Sequence, residues 1–173
     1  LSVKASCKLM GGVSSISLDP TQRYFYAGTD QSNRYFVDVQ YLQPELANTA
    51  HFEKVNCVAF PAGYSSTFAT CSLQDIRLWD AATRNELLRI QVPNVECNCI
   101  AFSMDGRTLI SGWSDGKIRA FGPQTGRLCY VINDAHKGGV TAVSSTSDCT
   151  RVLSGGVDGK VRVWKIEQNS QSM

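Results

Sequence analysis

HKGGVTAVSSTSDCTRVLSGGVDGKVRVW, residues 136–164, is the fullest example of a pattern that occurs four times in this chain. An apolar run begins at Val140, a second spans Arg151 to Ser154, and an alternating run ends at Trp164. An Asp-Gly pair, Asp158-Gly159, separates the last two runs. Short runs rich in β-branched residues are typical of strands, and Asp-Gly is typical of tight hairpin turns. The stretch therefore predicts three strands joined by turns.

The same pattern recurs at a nearly constant spacing. Its opening runs are separated by 42, 42 and 43 residues: VSSISL at Val13, VNCVAF at Val55, CNCIAF at Cys97 and VTAVSS at Val140. Each opening lies 24 residues before the end of an alternating strand, at Val37-Asp38, Trp79-Asp80, Phe121-Gly122 or Trp164-Lys165. A fixed period of this length, with several short strands in each period, indicates a repeat protein.

A further strand is predicted between successive repeats. ELLRI from Glu86 and RLCYVI from Arg127 are such segments. The corresponding segment after Asp38 contains Pro44, which cannot donate a ladder hydrogen bond, so we expect a short or irregular strand there. Residues 2–9 are predicted to be the fourth strand of a preceding set. The last repeat should supply three strands.

Composition excludes several classes of protein. The 173 residues are 43% hydrophobic and 18% charged, which is typical of globular chains. The net charge of +2 is spread along the chain and gives no footprint for nucleic acid. No apolar run reaches the length of a membrane span, so we expect no membrane. Seven cysteines, an odd number, fit a reducing cytoplasmic compartment.

The spacing and the Trp-Asp ends resemble the WD40 repeats of β-propellers over residues 1–166. His51 and His136 lie four residues before an opening run, where that family has a histidine. The resemblance implies an all-β propeller with about four blades present, as part of a seven- or eight-bladed ring. Either a longer protein or a second chain would complete that ring. Residues 167–173 are predicted to be a polar tail or linker.

The resemblance also implies a buried hydrogen-bonded chain in each blade, made by a His, a Ser or Thr, the turn Asp and the terminal Trp. The fourth repeat has all of them: His136, Ser154, Asp158 and Trp164. The others have incomplete sets, namely Ser111 and Asp115 in the third, which ends on Phe121, and His51, Trp79 and Asp80 in the second.

Two chemical alternatives use the same residues. Ser154, His136 and Asp158 are the residue types of a nucleophilic triad, but they coincide with the structural chain, so we predict no catalysis and no small-molecule substrate. Cys97 and Cys99 share one face of a predicted strand and could begin a zinc site. Since Cys57 occupies the same repeat position as Cys99, a packing role is favoured, and we predict no metal or cofactor.

Partner binding is the remaining type of site. Trp113 belongs to no repeat mark and is either a core residue or an exposed anchor. Arg77, Arg119 and Arg162 share one repeat position and either form an arc that binds an acidic partner or are solvated. The predicted partner-facing residues, mostly in loops before the first strands, are Phe52, Glu53, Lys54, Ser72, Trp113, Ser114 and Lys137.

Longer runs carry a more specific resemblance. These are FATCSLQDIRLWD at 68–80, RNELLRIQVPN at 84–94, LISGWSDGKIRAFGPQTGRLCYVINDAHKGGVTAV at 109–143 and TSDCTRVLSGGVDGKVRVWKI at 146–166. They resemble the cilia- and flagella-associated protein 52 family. That resemblance implies a non-enzymatic scaffold in the cytoskeleton of the cilium or flagellum, with tubulin and neighbouring axonemal proteins as partners. A peptide-recognition propeller that acts as a substrate adaptor is the alternative.

Overall fold

Only strands and turns occur in the part of the chain that the structure, a computed structural model, describes: residues 2–3, 5–63 and 66–166. The all-β prediction is confirmed. None of these residues forms a helix that could span a membrane. The strands are β1 (Val13–Leu18), β2 (Tyr24–Thr29), β3 (Asn33–Asp38), β4 (Pro44–Thr49), β5 (Cys57–Ala59), β6 (Thr67–Cys71), β7 (Leu73–Asp80), β8 (Glu86–Phe102), β9 (Leu109–Trp113), β10 (Ile118–Phe121), β11 (Leu128–Ile132), β12 (Val140–Ser145), β13 (Arg151–Gly156) and β14 (Val161–Lys165). The chain divides into two units, Leu1–Phe52 and Glu53–Met173.

The first unit is one antiparallel sheet in the order β1-β2-β3-β4, which we call blade 1. Its small core is built on Ala27, Tyr35 and Val37. β4 has six residues, so it is not short, but its pairing with β3 shifts register between Arg34 and Tyr35. Pro44 begins this edge strand, a position where a missing N–H does not interrupt the sheet.

The predicted strand over residues 2–9 is wrong. The described residues of this segment, 2–3 and 5–9, have no strand assignment. A strand needs a neighbour to satisfy its N–H and C=O groups, and none pairs with this segment among the described residues.

The second unit contains a seven-stranded sheet, β11-β10-β9-β8-β7-β6-β5, and a three-stranded sheet, β12-β13-β14. The larger sheet is two blades that share β8. Blade 2 comprises β5, β6, β7 and residues 86–91, whereas blade 3 comprises residues 97–102, β9, β10 and β11. Blade 4 is the three-stranded sheet. These sheets are successive units of a partial β-propeller, as predicted.

β8 differs from the prediction of two separate strands. Its 17 residues continue through Pro93. Asp75 pairs with Gln91, but Leu73 pairs with Glu96, so residues 92–95 form a bulge. Asn94 has a φ of 63°, a left-handed conformation that Asn tolerates better than most residues. The bulge lets one strand leave blade 2 and enter blade 3.

Apolar side chains fill the spaces between neighbouring blades of the second unit. One cluster joins Ile76 and Leu78 of blade 2 to Phe102, Leu109 and Trp113 of blade 3. A second joins blades 3 and 4 and includes Cys99, Ile110, Ile118, Val140 and Val152. Complete burial of such a side chain contributes about 1.5–3 kcal/mol, so packing between blades is a main source of stability here.

Two asparagines add polar links at equivalent repeat positions. Asn56 Nδ2 donates to the carbonyl of Cys97 at 2.8 Å, and Asn98 Nδ2 donates to the carbonyl of Val140 at 2.9 Å. Asn56 directly precedes β5 and Asn98 lies in β8, so each amide joins the start of one blade to the first strand of the next. These links fix the relative height of neighbouring blades as well as their separation.

Candidate functional site

His136 is the centre of a polar chain in blade 4. Its side chain is fully buried, with Nδ1 at 2.8 Å from Asp158 Oδ1 and Nε2 at 2.8 Å from Ser154 Oγ. Trp164 Nε1 donates to the same Ser154 oxygen at 2.9 Å. The loop before β12, strands β13 and β14, and the turn between those strands each supply one of these residues. The four side chains thereby connect the loop before β12 to β13, β14 and the turn between them.

The contact with Asp158 places one proton of the His136 ring. A carboxylate can only accept a hydrogen bond, so Nδ1 carries a proton and donates to Asp158, and Arg162 Nη1, 2.9 Å from the same nitrogen, donates to Asp158 instead. Nε2 and the Ser154 hydroxyl share the second hydrogen bond. Asp158 also accepts from Arg162 Nη1 at 3.0 Å and from the N–H of Lys160 at 3.2 Å. The hydrogen bond from His136, with those from Arg162 and the backbone, holds the pKa of Asp158 well below its usual range.

The backbone of β13 beside His136 leaves no room for a side chain. A Cβ on Gly156 would lie 2.3 Å from His136 Cγ, which is far inside van der Waals contact. Glycine at this point of β13 leaves the volume that the imidazole occupies. The sequence signal for it is the pair Gly155-Gly156 directly after Ser154.

Ser154, His136 and Asp158 have the hydrogen-bond order of a nucleophilic triad, so their surroundings decide what they can do. Ser154 is 2% exposed, and its oxygen already accepts the Trp164 N–H. A substrate carbonyl therefore has no approach to this hydroxyl. The arrangement can satisfy buried polar groups and hold strands together.

Blade 3 contains a different version of this chain, centred on Trp113. This residue is fully buried, and its indole Nε1 donates to Ser111 Oγ at 2.8 Å. The Ser111 hydroxyl in turn donates to the carbonyl of Arg119 at 2.8 Å. Trp113 therefore supplies the N–H that Phe121 lacks. Its prediction as a partner-facing residue is wrong, because it offers no surface.

Two other members of the predicted chain, Trp79 and Asp80, form hydrogen bonds in blade 2. In blade 2, Trp79 Nε1 donates to Thr70 Oγ1 at 2.8 Å, one residue after the position expected from Ser111 and Ser154. Asp80 accepts from the N–H and hydroxyl of Thr83 and so caps the turn before β8. His51 is half-buried and belongs to the first unit.

Asp115 of blade 3 pairs with Arg119, whose Nη2 lies 2.6 Å from Asp115 Oδ2. The Arg119 guanidinium also lies over the Trp113 ring, 5.3 Å from its centroid, at a distance suited to a cation–π interaction. Burial alone would raise the pKa of Asp115, but the Arg119 hydrogen bond and charge reverse this and lower it.

The three arginines at one repeat position are all paired within the chain. The Arg77 side chain is 2% exposed and lies between Asp75 and Glu86. It is therefore neither a solvated residue nor part of a cationic arc, the two interpretations that the sequence allows. Arg119 and Arg162 pair with the turn aspartates Asp115 and Asp158. The charges of these arginines are therefore neutralised by acids of their own blades.

Cys57, Cys71 and Cys97 come together between blades 2 and 3, whereas Cys99 packs between blades 3 and 4. Cys57 and Cys71 are register partners on β5 and β6, and Cys71 Sγ lies 3.4 Å from the carbonyl of Cys97. Burial raises the pKa of Cys99 to about 12, so its thiol is protonated at neutral pH and is a poor metal ligand. Within the described residues, no group of three or more His, Cys, Asp or Glu side chains could hold a metal ion.

The predicted partner-facing loops are partly exposed. Glu53, Lys54, Ser114 and Lys137 are exposed in the second unit, whereas Phe52 is 67% exposed in the first. Ser72 is fully buried, so its prediction as a binding residue is wrong. Its hydroxyl lies 2.8 Å from the carbonyl of Lys54 and 3.1 Å from that of Glu53, and it holds this loop in place.

Trp113→Phe is expected to lower the free energy of unfolding of the second unit by about 1–2 kcal/mol, because Ser111 loses a buried hydrogen-bond donor. The Trp113→Phe/Ser111→Ala double variant should lose less than the sum of the two single losses. Urea unfolding followed by circular dichroism measures all three. Additive losses would show that the Trp113 indole N–H does not serve Ser111.

Asp158→Asn should change how stability depends on pH. The folded-state pKa of Asp158 lies below the unfolded value of about 3.9. Its stabilisation is therefore complete above about pH 5 and is lost progressively as the pH falls through 4 and below. The wild type should exceed Asp158→Asn in Tm at pH 7, and the difference should shrink towards pH 3.

Asp134→Asn is the matched control, since Asp134 is an exposed acid of the same unit. It should leave the pH profile of Tm unchanged. A constant difference between wild type and Asp158→Asn from pH 7 to pH 3 would contradict the role of the Asp158 charge.

Comparisons with known proteins agree with this geometry. Residues 43–80, 87–121 and 126–165 match the family described as WD domain, G-beta repeat. The chain is 52% identical over 166 residues to cilia- and flagella-associated protein 52 of Sus scrofa, covering 96% of this chain and 27% of that protein. The protein of the same name from Chlamydomonas reinhardtii is 52% identical over 172 residues, covering 98% of this chain and 28% of that protein. The human protein of that name is 49% identical over 166 residues, covering 96% of this chain and 27% of that protein.

This chain thus spans about a quarter of the length of these relatives. The family match covers more than half of the chain and includes every strand of blades 3 and 4. The repeats of this chain have the strand order and the Asp-Gly turns described above, and the fourth repeat has the polar chain of blade 4. The chain belongs to the WD40 repeat family.

Proposed function

We propose that this chain is part of a non-enzymatic scaffold of the ciliary or flagellar axoneme, with tubulin and neighbouring axonemal proteins as its partners. The observation that carries the proposal is the identity of about half the residues, along nearly the whole chain, to proteins named for cilia and flagella. WD40 repeats serve protein–protein interaction, and relatives as distant as Sus scrofa and Chlamydomonas reinhardtii have this segment in common with the chain.

The chemistry of the blades supports a scaffold over an enzyme. His136 and Ser154, two of the residues that could form a nucleophilic triad, are buried and hydrogen-bonded within blade 4. Arg77, Arg119 and Arg162, which were predicted either to bind an acidic partner or to be solvated, are paired within their blades. Exposed side chains instead lie in loops, at Lys54 and Lys137 among others. Loops on a rigid β scaffold are a usual location for partner contacts.

Localisation and co-sedimentation test this function. The full-length tagged protein is expected to lie along the axoneme of ciliated cells and to pellet with axonemal doublets. Lys54→Glu/Lys137→Glu should weaken pelleting if these loops face the partner, whereas Arg127→Glu, an exposed charge outside these loops, should not. A full-length protein that stays soluble with doublets and is absent from cilia would overturn the proposal.

A further inference from the structure

A groove of about 650 Å³ lies between blades 2 and 3, away from the polar chains. Leu78 and Phe102 are buried side chains at its base, and Leu88 lies beside them. The turns of the two blades flank it, since a Cβ on Gly106 would lie 3.9 Å from Pro61 Cβ. Because one blade supplies each side, the packing that holds the blades together also fixes the shape of the groove.

The rim of this groove is apolar and open to solvent. Leu87 is 56% exposed and Met104 is 48% exposed, and both line the groove. Exposed apolar side chains beside a preformed cleft are typical of binding surfaces, and Met adapts its shape to different partners. The volume lies in the range of binding clefts, so it accommodates a few side chains.

Asp105 is the one charged residue among the described residues that line the groove, and the charge of the neighbouring Arg107 helps to lower its pKa. The Asp105 carboxylate accepts from Ser103 Oγ at 2.6 Å and from the N–H of Arg107 at 3.1 Å, which keeps it ionised. An apolar cleft with a carboxylate at its edge is complementary to an apolar segment that carries a cation.

We propose that this groove binds an extended segment of a partner protein in which apolar side chains stand next to a Lys or Arg. The apolar side chains lie against Leu87, Leu88 and Met104, and the cation lies near Asp105. This inference rests on the proposed scaffold function, because it names the surface and the kind of segment that the scaffold holds.

Selection from a phage-displayed library of random dodecapeptides against the full chain tests the inference. Selected peptides are expected to contain apolar residues beside Lys or Arg. In fluorescence anisotropy, Leu87→Asp and Met104→Asp should each lower the affinity for a labelled selected peptide by about tenfold or more. Asp105→Asn should lower that affinity severalfold. A Lys-to-Glu version of the peptide should bind more weakly than the original.

Leu128→Asp is the matched control, because Leu128 is 53% exposed on the outer strand of blade 3 and does not line this groove. It should leave peptide affinity unchanged. Circular dichroism checks that each variant is folded. Equal affinity for wild type and Leu87→Asp would overturn the inference. So would selection of acidic peptides, or light scattering that shows the groove occupied by a second copy of this chain.

The same variants separate this inference from the proposed function. If the full-length protein still lies in the axoneme and pellets with doublets while no peptide is selected, only the groove is wrong. If the full-length protein leaves the axoneme altogether and peptides still bind at the groove, the scaffold assignment is wrong and the groove stands.

Discussion

Gly116→Ala is expected to destabilise the second unit by about 2–5 kcal/mol, because two costs add at this residue. Gly116 has a φ of 77°, and a residue with a side chain pays about 1–2 kcal/mol for that conformation. A Cβ there would also lie 2.0 Å from the carbonyl oxygen of His136. Backbone atoms cannot move aside as a flexible side chain can, so overpacking adds about 1–3 kcal/mol.

The damage should concentrate between blades 3 and 4. The His136 N–H donates to the carbonyl of Gly116 at 3.1 Å, so the turn between β9 and β10 is bonded to the loop that carries His136. Pushing this loop away displaces the imidazole from Ser154 and Asp158. Hydrogen exchange of the β12 and β13 amides should therefore accelerate more than that of β6 and β7.

Gly159→Ala is the matched control for this prediction. Gly159 occupies the equivalent turn of blade 4 with a φ of 70°, and a Cβ there would meet nothing within 4 Å. It should cost only the conformational term, about 1–2 kcal/mol. The chain's three tryptophans, Trp79, Trp113 and Trp164, all lie in the second unit, so urea unfolding followed by tryptophan fluorescence reports on that unit. If both variants lose the same free energy of unfolding, the loop that carries His136 moves away from the new Cβ without a cost.

The repeat period predicted most of the strands and the tight turns, because both depend on local chemistry. Val13 and Val140 begin strands in the structure, and Asp115-Gly116 and Asp158-Gly159 form turns with a positive φ at each glycine. ELLRI from Glu86 and CNCIAF from Cys97 were predicted as separate strands, yet β8 runs through both and through Pro93 between them. Its neighbours form a bulge, and only the register with β7 and β9 reveals that.

Side-chain roles were harder to predict than strands. Trp113 and Ser111 are two residues apart on β9 and therefore share one face of the strand, which is the signal that could have revealed their hydrogen bond. Phe121 has no indole N–H, so a tryptophan and a serine on the same face of β9 indicate that Trp113 donates in its place. For Ser72, no local pattern separates a buried hydroxyl that holds a loop from an exposed one that binds a partner.

Arg77 shows the same difficulty with charge. Its partners Asp75 and Glu86 lie on different strands, β7 and β8, and only the pairing of these strands brings both acids to one guanidinium. From the sequence, Arg77, Arg119 and Arg162 are equivalent. In the structure their side-chain exposures are 2%, 13% and 31%. Burial therefore distinguishes residues that the repeat position makes identical.

Arg77→Leu is expected to cost about 3–5 kcal/mol of unfolding free energy, since removing one member of a buried ion pair leaves its partner uncompensated. Arg77 Nε lies 2.7 Å from Asp75 Oδ2, and Nη1 lies 3.0 Å from Glu86 Oε2. Both carboxylates are largely buried, with exposures of 10% and 15%, so water cannot replace the guanidinium. Arg89 also contacts Glu86, so Glu86 keeps one of its two arginines in this variant.

Two further variants distinguish loss of charge pairing from loss of packing. Arg119→Leu removes the arginine at the equivalent position of blade 3, where the pair with Asp115 is more accessible, and should cost about 1 kcal/mol. Arg77→Leu/Asp75→Asn also removes the carboxylate charge that faced Arg77 and keeps the shape of the acid. It should recover part of the stability lost in Arg77→Leu, as measured by urea unfolding with fluorescence detection. If the double variant is less stable than Arg77→Leu alone, Asp75 stabilises blade 2 through contacts other than Arg77, and the ion pair is not the source of the effect.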